Sequence, residues 1–77
     1  MILVKKLNEL QAGNVGKVQS IGGDVHFQSR ITSIGLTPGS IVEIVQNKRK
    51  RPLLIYSRDS LIAINRKDAE LIEMKGN

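Results

Sequence analysis

Apolar residues recur along this chain in short runs separated by turn signals, the pattern of a small β-rich domain. Residues 17–21 alternate, with Val18 and Ile21 apolar and Lys17 and Gln19 polar, and predict a first strand. Leu7 and Leu10 precede it, and Gly13 and Gly16 mark a turn between them and the strand. After Gly22 and Gly23 the period changes. Phe27, Ile31 and Ile34 fall at helical spacing with Val25 nearby, which predicts one short helix. Asp24 can cap its start by accepting backbone N–H bonds. Gly35 can end it in the left-handed conformation, with Leu36 folded back onto Ile31. Thr37, Pro38, Gly39 and Ser40 then spell a type II turn, with proline presetting the first central angle and glycine taking the positive φ of the second.

Beyond that turn the runs are strand-like again. Residues 40–47 are rich in β-branched side chains and predict a strand. Residues 51–57 predict another, so residues 47–51 form the tip of a β-hairpin. Residues 57–60 are a second tight turn, and residues 61–65 a fourth strand. Residues 66–70 read as a single helical turn and residues 71–75 as a closing strand. The expected fold is mostly β: about five short strands, with one short helix inserted after the first, closing into a small barrel that removes unpaired edges.

A single core does not account for every apolar position. Val42 and Ile44 share one face of their strand, whereas Ile41 and Val45 share the other with Glu43. Leu53, Leu54 and Ile55 are contiguous, as are Leu61, Ile62, Ala63 and Ile64. The favoured reading is that the helix and the N-terminal segment cover the second face. The competing reading is a partner or self-association surface.

Length and charge narrow the picture. Seventy-seven residues suit one domain, spanning 1–77, with one small core. The absence of Cys excludes disulfides and thiolate metal sites and agrees with a reducing, cytoplasmic setting. The apolar run within residues 1–6 is too short for a signal-peptide core or a membrane span, so the chain reads as soluble. Of the net charge of +5, Lys48, Arg49, Lys50 and Arg51 account for +4. The basic character therefore belongs to one hairpin tip.

Chemistry of the enzymatic kind is not evident. His26 is the one histidine, and no phosphate-binding Gly-rich loop with its lysine is present, so neither hydrolysis nor GTP binding is expected. Asp24 and His26 supply two metal ligands at best, and Glu43, Asp59, Asp68, Glu70 and Glu73 are dispersed. No catalytic residues, no cofactor and no defined metal site are expected.

The order of these segments resembles a known family. A Leu-x-x-Leu-x-x-Gly start is followed by a strand, a helix ending in ITSIGLTPGS, and then IVEIV, PLLIY, LIAIN and DAELIEM. This is similar to FeoA, the small accessory protein of bacterial ferrous iron transport, over nearly the whole chain. Residues 30–40 carry the most specific part, and Ala63 and Ala69 also fit. The resemblance implies an SH3-like β-barrel with an inserted helix and association with FeoB, the membrane transporter with a cytoplasmic GTP-binding domain. The same fold is appended to iron-dependent repressors of the DtxR type as an interaction domain. The dense basic tip, the extra N-terminal residues and Asn65, where a basic residue is usual, depart from the family's common pattern.

The expected function is that of a non-enzymatic, cytoplasmic partner protein of the transporter. Partner contact is expected at Arg30, Ile34, Leu36, Pro38, Ile41 and Val45, although Arg30 and Leu36 read equally well as structural. Gly35, Pro38 and Gly39 are expected to shape the turn. For the tip, solubility and edge protection rank first. Electrostatic docking to the transporter or to a membrane surface ranks second. Nucleic acid ranks third, because Phe27 and Tyr56 are the only aromatic platforms. A nucleic-acid-binding or regulator-type module using the basic tip is the alternative function, and a weak homodimer through the two-sided strands is a further reading.

Overall fold

The computed structural model describes residues 3–76. Its elements are β1 (Leu3–Lys6), a 3-10 turn (Leu7–Glu9), β2 (Val15–Ile21), α1 (Val25–Ser33), β3 (Ile41–Gln46), β4 (Leu53–Ser57), β5 (Ser60–Ile64), α2 (Arg66–Ala69) and β6 (Ile72–Gly76). The strands form one antiparallel sheet in the order β1-β6-β2-β3-β4-β5. The described strands number six rather than about five, so the helix follows the second strand and not the first. The unexpected strand, β1, pairs among the described residues with β6 alone, from Leu3 opposite Gly76 to Lys6 opposite Glu73. Four residues ending in two lysines show no alternation. The strand exists because of a partner some seventy positions away. Met1 and Ile2, in the apolar run noted above, lie outside the described residues.

Two register shifts bend the sheet. One falls between Val18 and Ser20 on the β2–β6 ladder, the other between Ile44 and Gln46 on the β3–β4 ladder. An extra residue in a strand kinks it and increases its twist, so the inner faces curl around a common interior. β1 and β5 remain the two ends of the sheet order and do not pair with each other. The interior is one contiguous cluster: Val18, Val42, Ile44, Leu53, Ile55 and Ile64 from β2 to β5 meet Ile72 and Met74 from β6. Leu7 and Leu10 close one side, and Phe27, Ile31 and Leu36 close another.

These two groups correct an expectation. The helix and the N-terminal segment pack into the same core as the strands and do not cover the second face. Val15, Ile41, Val45, Tyr56 and Leu61 stay exposed. Each element had one apolar stripe to bury, and one interior took them all. Gly16 is a second correction. It is buried within β2 and not in the turn before it. A Cβ there would already touch the Lys75 carbonyl and the Met74 methyl of β6, each at 3.4 Å. The turn itself is made at Gly13.

Candidate partner-contact surface

The helix end is built from local chemistry. Asp24 Oδ1 accepts a hydrogen bond from the Phe27 N–H at 2.8 Å and caps α1. Phe27 and Ile31, one turn apart, are buried, which leaves Arg30 and Ile34 on the exposed flank. At the far end the Leu36 N–H donates to the Ile31 carbonyl at 3.2 Å and the Gly35 N–H to the Thr32 carbonyl at 3.0 Å. That pair of bonds is the Schellman stop, and Gly35 supplies its left-handed residue at φ +104°. The following turn has Gly39 at φ +97° and the Ser40 N–H bonded to the Thr37 carbonyl at 2.9 Å. It is tied to β2 by Gly39 N–H to Val18 O at 2.8 Å and Val18 N–H to Ser40 O at 2.9 Å.

This geometry sorts the expected contact residues. Leu36 is fully buried and belongs to the core; the Schellman fold-back that places it opposite Ile31 removes it from any contact surface. Pro38 is exposed on the turn, and Ile34 is 41% exposed at the helix end. Ile34 and Arg30 face the end of β5 and α2 across a shallow cleft of about 260 Å³, with Ala63, Asn65 and Asp68 on the other side. The Arg30 guanidinium spans the cleft to Asp68 Oδ2 at 3.0 Å and lies 5.4 Å from the Phe27 ring centre. Both partners keep access to water, so the pair contributes little stability, about 0–1 kcal/mol.

The second candidate region is the outer sheet face. Val15 on β2, Glu43 on β3, Tyr56 on β4 and Leu61 on β5 lie in register across four strands. Ile41 is 55% exposed beside them, and Val45 is exposed at the bulge of β3. Tyr56 Oη donates to Asp59 Oδ1 at 3.1 Å, so the phenol keeps a polar anchor, and the residue stands between Glu43 and Leu61 on the neighbouring strands. Ile41 and Val45 were legible as face residues, but Val15, Tyr56 and Leu61 were not assigned to the same surface. The period-two alternation of their strands carried that signal.

The basic tip has a built base. Arg66 Nη1 donates to the carbonyls of Lys48 at 2.9 Å and Arg51 at 3.2 Å. Asn47 Nδ2 donates to the carbonyls of Asn8 at 3.1 Å and Leu10 at 2.6 Å. Lys48, Arg49, Lys50 and Arg51 are all exposed, and none of them is ion-paired among the described residues. Arg66 and Lys67 add two cations to the same end of the sheet. Neither Arg66 nor Asn47 stood out in the sequence.

Among the described residues no three His, Cys, Asp or Glu side chains gather as metal ligands. Asp24 is occupied as a helix cap, and His26 is exposed on α1. No helix among the described residues is long and apolar enough to cross a membrane.

Comparison with known proteins places this geometry. An iron uptake regulatory protein (FeoA) known from a crystal structure superposes with a TM-score of 0.93 at 25% identity, over 97% of this chain and 100% of that one. Stenotrophomonas maltophilia FeoA complexed with zinc superposes with a TM-score of 0.77 at 20% identity, over 91% and 88%. It is described as a procaryotic SH3 domain protein, with a suggested role as a bacterial ferrous iron transport activating factor. A manganese-dependent transcriptional repressor matches with a TM-score of 0.90 at 15% identity, over all of this chain but 44% of its own, and so shares the fold alone. No curated protein matches in sequence. The FeoA domain family matches residues 5–75, all but the ends of the chain, and the chain belongs to that family.

Proposed function

We propose that the chain is a non-catalytic accessory protein of bacterial ferrous iron uptake, working in the cytoplasm by contact with a FeoB-type transporter and its GTP-binding region. Family membership over residues 5–75 carries this reading. Contact as the mechanism is supported by the apolar surface that the fold leaves uncovered, Ile34 beside the α1–β5 cleft and Ile41 and Val45 on the outer face. Arg30 supplies an exchangeable charge at the same cleft, and Pro38 stands on the adjoining turn. The tip at residues 48–51 steers encounter without carrying most of the affinity.

The test is an amide NMR titration of the labelled chain with the transporter's soluble GTP-binding domain, at low and high salt. Shifts at Arg30, Ile34, Pro38 neighbours, Ile41 and Val45 that survive high salt are the expected result. Shifts confined to residues 48–51 and erased by salt would reduce the chain to a generic anion binder. A salt-dependent mobility shift on nucleic acid, with no shift on the transporter domain, would instead favour the regulator-type module.

A further inference from the structure

The two edges of the sheet are unlike. β1 carries Lys5 and Lys6, the kind of charge that discourages a further strand from pairing. β5, Ser60–Ile64, carries neither charge nor proline. Its hairpin with β4 turns through Arg58 and Asp59, both at positive φ (52° and 62°), with Ser57 opposite Ser60. In a two-residue hairpin the flanking pair is hydrogen-bonded and the pairs then alternate. Ser57/Ser60, Ile55/Ile62 and Leu53/Ile64 therefore use their backbone groups between β4 and β5. Leu61 and Ala63 turn theirs outward, and none of these four groups has a hydrogen-bond partner among the described residues.

The rest of the edge suits an added strand. Leu61 is 63% exposed and Ala63 is exposed, so a strand laid opposite them would extend the exposed row that runs from Val15 through Glu43 and Tyr56 to Leu61. Toward the end of β5, α1 forms a wall at Arg30 and Ile34. A free strand edge beside a helix is a geometry in which main-chain bonds give affinity and side-chain pockets give selectivity. Charge names the occupant. Beyond Ile64 lie Arg66, Lys67 and the tip cations 48–51; Asp68, in the cleft beside them, is already paired with Arg30, and the hairpin end carries the balancing pair Arg58 and Asp59. A second copy of the chain would bring +5 against +5. An antiparallel segment with acidic residues at its N-terminal end would set them against the cations.

We propose that β5 is an acceptor edge for an extended segment of a partner protein, added antiparallel, with acidic residues at its N-terminal end followed by apolar residues at alternate positions. This goes beyond the transporter reading, since it concerns how a segment is recognised, whichever protein supplies it.

The probe is a synthetic peptide, acetylated, with three glutamates followed by alternating valine and threonine, added to the labelled full chain. Hydrogen exchange at the Leu61 and Ala63 amides slows on addition, while exchange in β1 does not. Ala63→Pro or Leu61→Pro removes one outward N–H without touching the β4 ladder, as proline is tolerated at such edge positions. Each weakens peptide binding about tenfold, the loss expected for one hydrogen bond near the upper end of its usual range. Circular dichroism confirms that a variant used in the comparison is folded, and the exchange measurement on the unaltered chain stands without either variant. A peptide of reversed order binds more weakly. Absence of protection at Leu61 and Ala63, unchanged affinity in a folded proline variant, or equal binding of the reversed peptide overturns the proposal. So does sedimentation showing a dimer that Ala63→Pro dissolves, which would give the edge to a second copy. Failure of the transporter domain to bind bears on the preceding reading and leaves this peptide test intact.

Discussion

The stop of α1 with its following turn, residues 34–40, and the basic tip, residues 47–51, are both short connections into a strand, yet opposite kinds of contact hold them. At the helix stop most bonds join residues within five positions, from Leu36 N–H to Ile31 O and from Ser40 N–H to Thr37 O, and the ties to Val18 and Arg58 are added to a turn already closed on itself. The tip has one local bond, Arg51 N–H to Lys48 O at 3.2 Å, and otherwise hangs from Arg66 and from the carbonyls of Asn8 and Leu10. One loop is shaped by its own residue types and the other by what the fold brings beneath it. The first places Leu36 in the core through its own bonds, and the second is free to carry any surface charge that its distant supports can hold.

The largest effect should come from the buried end of the helix stop. Leu36→Ala removes a fully buried side chain beside Ile31 and should cost about 2–5 kcal/mol in urea unfolding. A cost near that of a surface substitution would return Leu36 to the candidate contact residues. Asn47→Ala should come next. It strips two carbonyls of their donor in a part-buried position, and leaving such groups unsatisfied costs about 1–3 kcal/mol. Gly35→Ala forces a Cβ into a φ of +104° and should cost about 1–2 kcal/mol, although no atom of the described residues lies within 4 Å of that Cβ. If Gly35→Ala is harmless while Asn47→Ala is not, the claim that local geometry governs the helix stop fails.

The same division explains what could be read from the sequence. Asp24, Gly35, Pro38 and Gly39 announce their roles because capping and positive φ are requirements of single residues. Strands β2 to β6 and the tight turn at Arg58 and Asp59 follow from short apolar runs and turn chemistry. β1 does not, because its pairing with β6 is a long-range event that two lysines conceal. Arg66 reads as an ordinary helical cation until the fold sets its guanidinium under the tip. The exposed face was half legible: alternation places Ile41 and Val45 on one side, but only the assembled sheet shows that both stay about half exposed among the described residues. Leu36 looked equally like a contact or a core residue, and the hydrogen bond from its own N–H to Ile31 decides the matter.

Arg66→Ala sharpens the comparison at smaller amplitude. The guanidinium holds two exposed carbonyls, Lys48 O and Arg51 O, which water can satisfy in its place. The cost should stay within about 0.5–1.5 kcal/mol, while hydrogen exchange at the Arg51 amide accelerates and that at Leu36 does not change. A matching change at Leu36 would mean that the two loops form one cooperative unit.

The smallest expected effect on stability, and the one with most to say about function, comes from neutralising Lys48, Arg49, Lys50 and Arg51 together to serine. All four are exposed and unpaired among the described residues, so the melting temperature should hardly move and stability should change by less than about 0.5 kcal/mol. Like charges crowded on one tip repel, so any small change should be a gain at low salt. Association with the transporter's GTP-binding domain should nevertheless slow at low ionic strength, with the dissociation rate nearly unchanged, because exposed rim charges act on encounter more than on the bound state. At high salt the altered and unaltered chains should converge as screening removes the steering field. An increase in the dissociation rate that persisted at high salt would mean that the tip sits inside the bound interface. The Arg66 brace would then fix the shape of a contact surface, and the two loops would be alike in function while differing in how they are held.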